Sequence, residues 1–141
     1  MQRKNELIDT VLDIGRQCLL QRQDMSMEAD ISQVDFAVID ALQAVGKISC
    51  KQLAKTMKLS TSRCSRIVER IQRKGYVVRK PNPQDRRAVE VSLTAKGIRL
   101  KTNIEKLKTQ CEKRIFGAID PKNIAAVKKG MRILRASLML Q

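Results

Sequence analysis

The sequence predicts a mainly α-helical fold: a helix-turn-helix with a two-stranded wing, plus a helical layer built from the N- and C-terminal segments. Three observations predict it. Two short, well-capped helical segments meet across a tight turn at Lys58-Leu59. Two β-prone pieces follow, joined by a basic tip that contains two prolines. The two ends of the chain carry apolar stripes at helical spacing, more than a small winged domain needs for its own core.

Residues 3–22 read as a helix, with Leu7, Val11, Ile14 and Cys18 on one stripe and Ile8, Leu12 and Leu19 widening it. Asp24 to Asp30 is polar and reads as a fraying end and a link. Ser32 caps the next helix, with Asp35 in its first turn and Ile31 placed to staple on Phe36. That helix continues through Val38, Ile39 and Leu42 and stops at Gly46. Ser49 and Gln52 form a capping box for a short third helix that turns Leu53, Ala54 and Met57 inward.

Ser60 caps the fourth helix, in which Cys64, Ile67, Val68 and Ile71 share an apolar face. Its other face carries Ser62, Arg63, Ser65, Arg66, Glu69, Arg70 and Arg73, and Gly75 stops it. Tyr76-Val77-Val78 and the alternation Val89, Val91, Leu93 read as two strands. Between them Pro81-Asn82-Pro83 forbids helix and favours an exposed turn. Thr94 caps a long helix lined by Leu100, Ile104, Leu107, Cys111 and Ile115, broken by Gly117 and Asp120-Pro121. Asp120 caps the last helix with Pro121 at its first position, where a missing N–H costs nothing. Its stripe of Ile124, Val127, Met131, Leu134 and Leu138 steps by three and four residues.

At 141 residues the chain reads as a single domain, 1–141. Residues 1–30 and 95–141 read as a helical dimerisation region and 31–94 as the winged helix-turn-helix. No apolar run reaches the roughly 18 residues of a membrane span, and MQRKNELIDT lacks the apolar stretch of a secretory signal, so the expected location is cytoplasmic. The four cysteines are widely spaced and there is no histidine, which argues against a zinc site and for reduced thiols. No Gly-rich phosphate loop and no paired carboxylates in an apolar setting are found, so the chain is not expected to be an enzyme or to carry a cofactor.

Charge is distributed unevenly. Residues 47–101 hold 16 Lys and Arg against Glu69, Asp85 and Glu90, whereas residues 1–46 hold four basic and eight acidic residues. A solvated surface would mix the signs. Concentration of positive charge on one segment is the footprint of a polyanion. The caps, strands and prolines of this segment do not make the long amphipathic helix that a membrane surface takes. A helix offering arginines suits a major groove, and a basic hairpin tip can reach a neighbouring minor groove, so the expected partner is double-stranded DNA.

The segment from Leu59 to Gly97 resembles the MarR (multiple antibiotic resistance regulator) family of winged helix-turn-helix transcriptional regulators. The motifs that carry the resemblance are Lys74-Gly75-Tyr76, Asp85-Arg86-Arg87 and Val91-Ser92-Leu93-Thr94-Ala95-Lys96-Gly97. The resemblance implies a homodimer on a pseudo-palindromic operator, usually as a repressor. It implies DNA contacts from Ser62, Arg63, Ser65, Arg66 and Arg70 on the recognition helix, and a minor-groove arginine at Arg87 with Arg86 beside it. Arg79 and Lys80 are expected along the phosphates, and Ser49, Ser60 and Thr61 can offer hydroxyls and helix-start amides there. Asp85, two residues before Arg87, is expected to support the wing by an ion pair.

The family also binds small-molecule effectors or senses oxidants through cysteine. Cys50, at a helix start and beside Lys51, is the candidate redox-sensing thiol, since that setting favours the reactive thiolate. Cys18, Cys64 and Cys111 lie on apolar stripes and read as packing residues. The competing reading is an architectural DNA-binding protein, which would share the basic segment but tolerate any sequence.

Overall fold

The computed structural model describes residues 5–140, apart from the side chains of Leu19 and Gln21. The expected helix start at residues 3–4 and the place of Leu19 in the first stripe lie outside the described residues. Among the described residues, six helices and a small sheet follow one another as α1 (Glu6–Glu28), α2 (Gln33–Ala41), β1 (Ile48–Ser49), α3 (Cys50–Thr56), α4 (Thr61–Arg73), β2 (Val77–Pro81), β3 (Val89–Leu93), α5 (Ala95–Ala118) and α6 (Pro121–Met139). They form two compact units, residues 1–101 and 102–141.

In the first unit, the capping chemistry read from the sequence sets the helix starts. Ser32 and Asp35 exchange side-chain and backbone hydrogen bonds at the head of α2, and Ser49 and Gln52 do the same at α3. Ser60 accepts from the Arg63 N–H at the start of α4. The turn before it has no glycine, and Lys58 itself takes the left-handed conformation at φ 53°. Gly75, at φ 82°, ends α4 in a Schellman motif: Tyr76 N–H donates to the Ile71 carbonyl and Gly75 N–H to that of Gln72.

The expected apolar face of α4 is the buried one, with Cys64, Ile67, Val68 and Ile71 packed into a core shared with Phe36, Val38, Ile39, Leu53, Val77 and Val91. Thr94 accepts from Gly97 N–H at 3.1 Å, and its hydroxyl donates to the Gly75 carbonyl at 2.6 Å, tying the start of α5 to the end of α4. Gly97 is required there for closeness: a Cβ at that position would sit 2.1 Å from the Tyr76 carbonyl oxygen.

Four expectations are corrected. α1 runs on to Glu28, through the stretch read as a link, because nothing in it breaks a helix; the turn comes at Asp30, at φ 51°. α2 ends at Ala41, short of Gly46, because Leu42 turns extended and its side chain is buried. The sheet has three strands in the order β1-β3-β2, so the two-stranded wing β2–β3 is joined by a strand that the periodicity did not reveal. At two residues, β1 is too short to show an alternation, and it exists through its antiparallel pairing of Ile48 with Val91. Gly117 does not break α5, which continues to Ala118.

In the second unit, Asp120 caps α6 through the Lys122 N–H, with Pro121 at its first turn. No residue of α6 is buried, and Val127, Met131 and Leu138 of its stripe are exposed in the single chain. On α1 the same holds for Leu7, Ile8, Leu12 and Ile14.

Candidate nucleic-acid interface

The side chains chosen from the sequence on α4 divide by what they touch. Burial of Cys64, Ile67, Val68 and Ile71 turns Ser62, Arg63 and Arg66 out to solvent, while Ser65 is half-buried. With Ser32, Val34, Ser60, Ile67 and Arg70, residues Arg63 and Arg66 line a pocket of about 530 Å³. The guanidiniums of Arg63 and Arg66 make this pocket attractive to an anion.

Arg70 is different from its neighbours. Its guanidinium is engaged by Asp35 of α2: Nε donates to Oδ1 at 3.1 Å and to Oδ2 at 3.0 Å, and a terminal nitrogen donates to Oδ1 as well. Burial pushes the Asp35 carboxyl up, but the Arg70 and Ser32 hydrogen bonds outweigh it and hold the carboxyl below its ordinary value. Arg73 is paired with Glu69 at 2.7 Å, a turn of exposed helix that is locally neutral.

The wing is built on β2 and β3, with Lys80 opposite Glu90 and Pro81 opposite Val89. Arg86 and Arg87 are exposed at its tip, and Arg79 is half-buried on β2. Asp85 supports the tip, but not through the expected ion pair: its carboxylate accepts from the Arg87 backbone N–H at 3.0 Å. The guanidinium is thereby left outside this bond.

Asn82 is the wing residue that sequence reasoning missed. Its Oδ1 accepts from the Gln84 and Asp85 N–H groups at 2.8 and 3.3 Å, and its Nδ2 donates to Glu90 at 3.1 Å. An asparagine ahead of a polar turn, hydrogen-bonding the backbone two residues on, was the signal available. Glu90 in turn meets Lys47 at 2.7 Å, which joins the loop before β1 to the wing.

Cys50 is half-buried at the first position of α3, and its carbonyl oxygen accepts from the Cys64 thiol at 3.8 Å. Burial, reinforced by the proximity of Cys50, pushes the Cys64 thiol up to about 11, as suits a packing residue. None of the four cysteines is in a disulfide.

Among the described residues, no helix is long and apolar enough to cross a membrane. Residues 29–88 match the sequence model of the MarR family. The multiple antibiotic resistance protein MarR of Salmonella typhimurium is 28% identical over 104 residues, which cover 69% of this chain and 72% of that protein. An uncharacterized HTH-type transcriptional regulator of Bacillus subtilis, YcgE, is 32% identical over 83 residues, covering 58% of this chain and 54% of its own. In fold, the chain is similar to Streptococcus pneumoniae FabT, solved in complex with DNA, with a TM-score of 0.87 at 21% identity over 97% of this chain and 98% of that one. The family match falls on α2 through the wing tip, the segment whose caps, glycine stop and basic tip are described above, and in that segment the chain is similar to the MarR family of winged helix-turn-helix transcriptional regulators.

Proposed function

We propose that this chain is a sequence-specific regulator, a repressor that binds a pseudo-palindromic operator in double-stranded DNA as a homodimer. The observation that carries the reading is the pairing, within one compact unit, of a helix that buries one face and turns Arg63 and Arg66 outward with a wing that holds Arg86 and Arg87 at an exposed tip. Ser62 and Ser65 supply hydroxyls beside those arginines, and Arg79 lies along β2 for the phosphates. Arginine forks suit guanine edges, and an arginine at a hairpin tip suits a narrow minor groove.

The exposed apolar stripes of α1 and α6 support the dimer, because stripes of that length are rarely left to water. Residues 1–30 and 95–141 are then the dimerisation region and 31–94 the DNA-binding region. The regulator works in the cytoplasm, where its operator is. Release of the operator by a small molecule, or by an oxidant acting first at Cys50, completes the reading.

The test begins with a duplex selected from a random library by the wild-type protein. Binding to that duplex should exceed binding to a scrambled duplex of the same composition, with a log–log salt slope on the order of −5 to −10 for the dimer. A slope near −1, or equal affinity for both duplexes, contradicts sequence-specific binding and favours the architectural alternative or no DNA role. The same duplex, with hydrogen peroxide or a panel of small aromatic acids, reads effector release.

A further inference from the structure

The C-terminal half of α4 is gripped by the corner between α1 and α2. Asp35 is 1% exposed, and a carboxylate at that depth must be hydrogen-bonded throughout. It is: Arg70 spans both oxygens, and the Ser32 backbone N–H donates to Oδ2 at 3.2 Å. One turn on, the Lys74 ammonium donates to the Asp30 carbonyl, and the Tyr76 hydroxyl donates to the Ala29 carbonyl at 2.9 Å. The end of α1 leaves these carbonyls without helical partners, because Asp30 turns left-handed. The corner is itself fastened. Arg22 of α1 lies 4.6 Å over the Phe36 ring and 3.7 Å from the Asp40 carboxylate, and Gln33 donates to Ser26 at 3.1 Å.

We propose that Asp35 is a positioning residue for base reading: through Arg70 it sets the angle of the recognition helix, and Arg70 serves this clamp instead of contacting DNA. This inference rests on the DNA-binding reading above and goes beyond it, because it assigns specificity to a carboxylate that no nucleotide touches. A guanidinium already neutralised by a buried carboxylate is a poor partner for a phosphate. Side-on engagement of both oxygens needs the planar fork, which lysine lacks. The lever is long enough to matter. Arg63 lies seven residues from Arg70, about 10 Å along the helix, so a tilt of roughly 6° moves it by about 1 Å. A base contact does not survive that displacement.

The test compares Asp35→Asn, Arg70→Met, Arg70→Lys and the double variant Asp35→Asn/Arg70→Met with wild type, on the selected and scrambled duplexes. Binding is measured by fluorescence anisotropy at a temperature where circular dichroism shows each variant folded. Asp35→Asn and Arg70→Met should each weaken binding to the selected duplex by about tenfold or more, the size of one lost base contact. Binding to the scrambled duplex and the salt slope should stay unchanged. The double variant should be no worse than the worse single, and Arg70→Lys should not rescue.

A salt slope reduced by about 1 in Arg70→Met, with Asp35→Asn harmless or Arg70→Lys active, would make Arg70 a phosphate contact and overturn the proposal. Lowered melting temperature with an unchanged ratio of selected to scrambled affinity would overturn it as well, leaving the pair a stabilising one only. Amide exchange without DNA separates the clamp from the DNA reading. Asp35→Asn should lose protection along Ile67–Arg73 while α3 keeps its own. Unchanged protection refutes the clamp however the wild type treats DNA, whereas a wild type that binds both duplexes alike, with protection lost in the variant, refutes only the DNA reading.

Discussion

Arg66 and Arg87 are both exposed, yet they stand on different kinds of backbone. Arg66 is held rigidly inside a helix whose opposite face is buried. Arg87 stands on a turn whose backbone is fixed by the Asp85 carboxylate and by Asn82. Arg66→Ala should cost about 1–3 kcal/mol per half-site and relax the preference at one base position, read by titrating operators altered in the half-site core. Arg87→Ala should weaken binding most on A·T-rich flanks, whose narrow minor groove attracts an arginine. Asp85 gives a sharper case. Because its oxygen accepts from a backbone N–H, Asp85→Asn should bind nearly as wild type and Asp85→Ala should resemble a weaker Arg87→Ala. An ion pair would instead make Asn as damaging as Ala. Serine and arginine positions on α4 were legible in the sequence because helical period alone puts them opposite the apolar face. The engagement of Arg70 was not, since its partner lies 35 residues away.

Among the elements, the junction of α4, β2 and α5 concentrates the constraints. Gly75 supplies the left-handed residue that ends α4, and Gly97 lets α5 start against the backbone of Tyr76. Gly97→Ala should destabilise by about 1–3 kcal/mol or more, because the obstructing atom is a carbonyl oxygen that cannot swing away. Gly75→Ala should cost about 1–2 kcal/mol, since its Cβ meets nothing closer than 3.7 Å and only the backbone conformation is strained. Urea melts of the two variants check the order.

α2 carries a pH signature. The Asp35 carboxyl is held low in the fold, so its contribution is complete above the unfolded value of about 3.9 and is lost as pH falls through the lower folded value. Acid titration followed by circular dichroism should show Asp35→Asn losing stability near neutrality and depending less on pH below about 4.

For the whole molecule, the proposed dimer rests on the apolar stripes. Ile124, Val127, Met131, Leu134 and Leu138 repeat on α6, no residue of that helix is buried in the single chain, and α1 adds exposed Leu7 and Leu12. Replacing Leu134 and Leu138 with Asp should yield a monomer by analytical ultracentrifugation and abolish operator binding in step, since one recognition helix reads few base pairs. Dimers that persist in this variant would place the interface elsewhere. The net charge of +15 fits a polyanion partner, and its concentration on residues 47–101 puts that charge on the winged unit.

By itself the sequence determined the elements whose cause is local. Caps at Ser32, Ser49 and Ser60, the glycine stop at Gly75, the prolines of the wing and the buried face of α4 each depend on groups within a turn or two of chain. Only the tertiary structure decided what depends on closure of the chain: the pairing of Ile48 with Val91 that creates β1, the lodging of Leu42 that ends α2 early, and the grip of Asp35 on Arg70. A local hydrogen bond is written in the spacing of two residues. A distant one exists only when packing of the core brings its partners within reach, and no spacing records that.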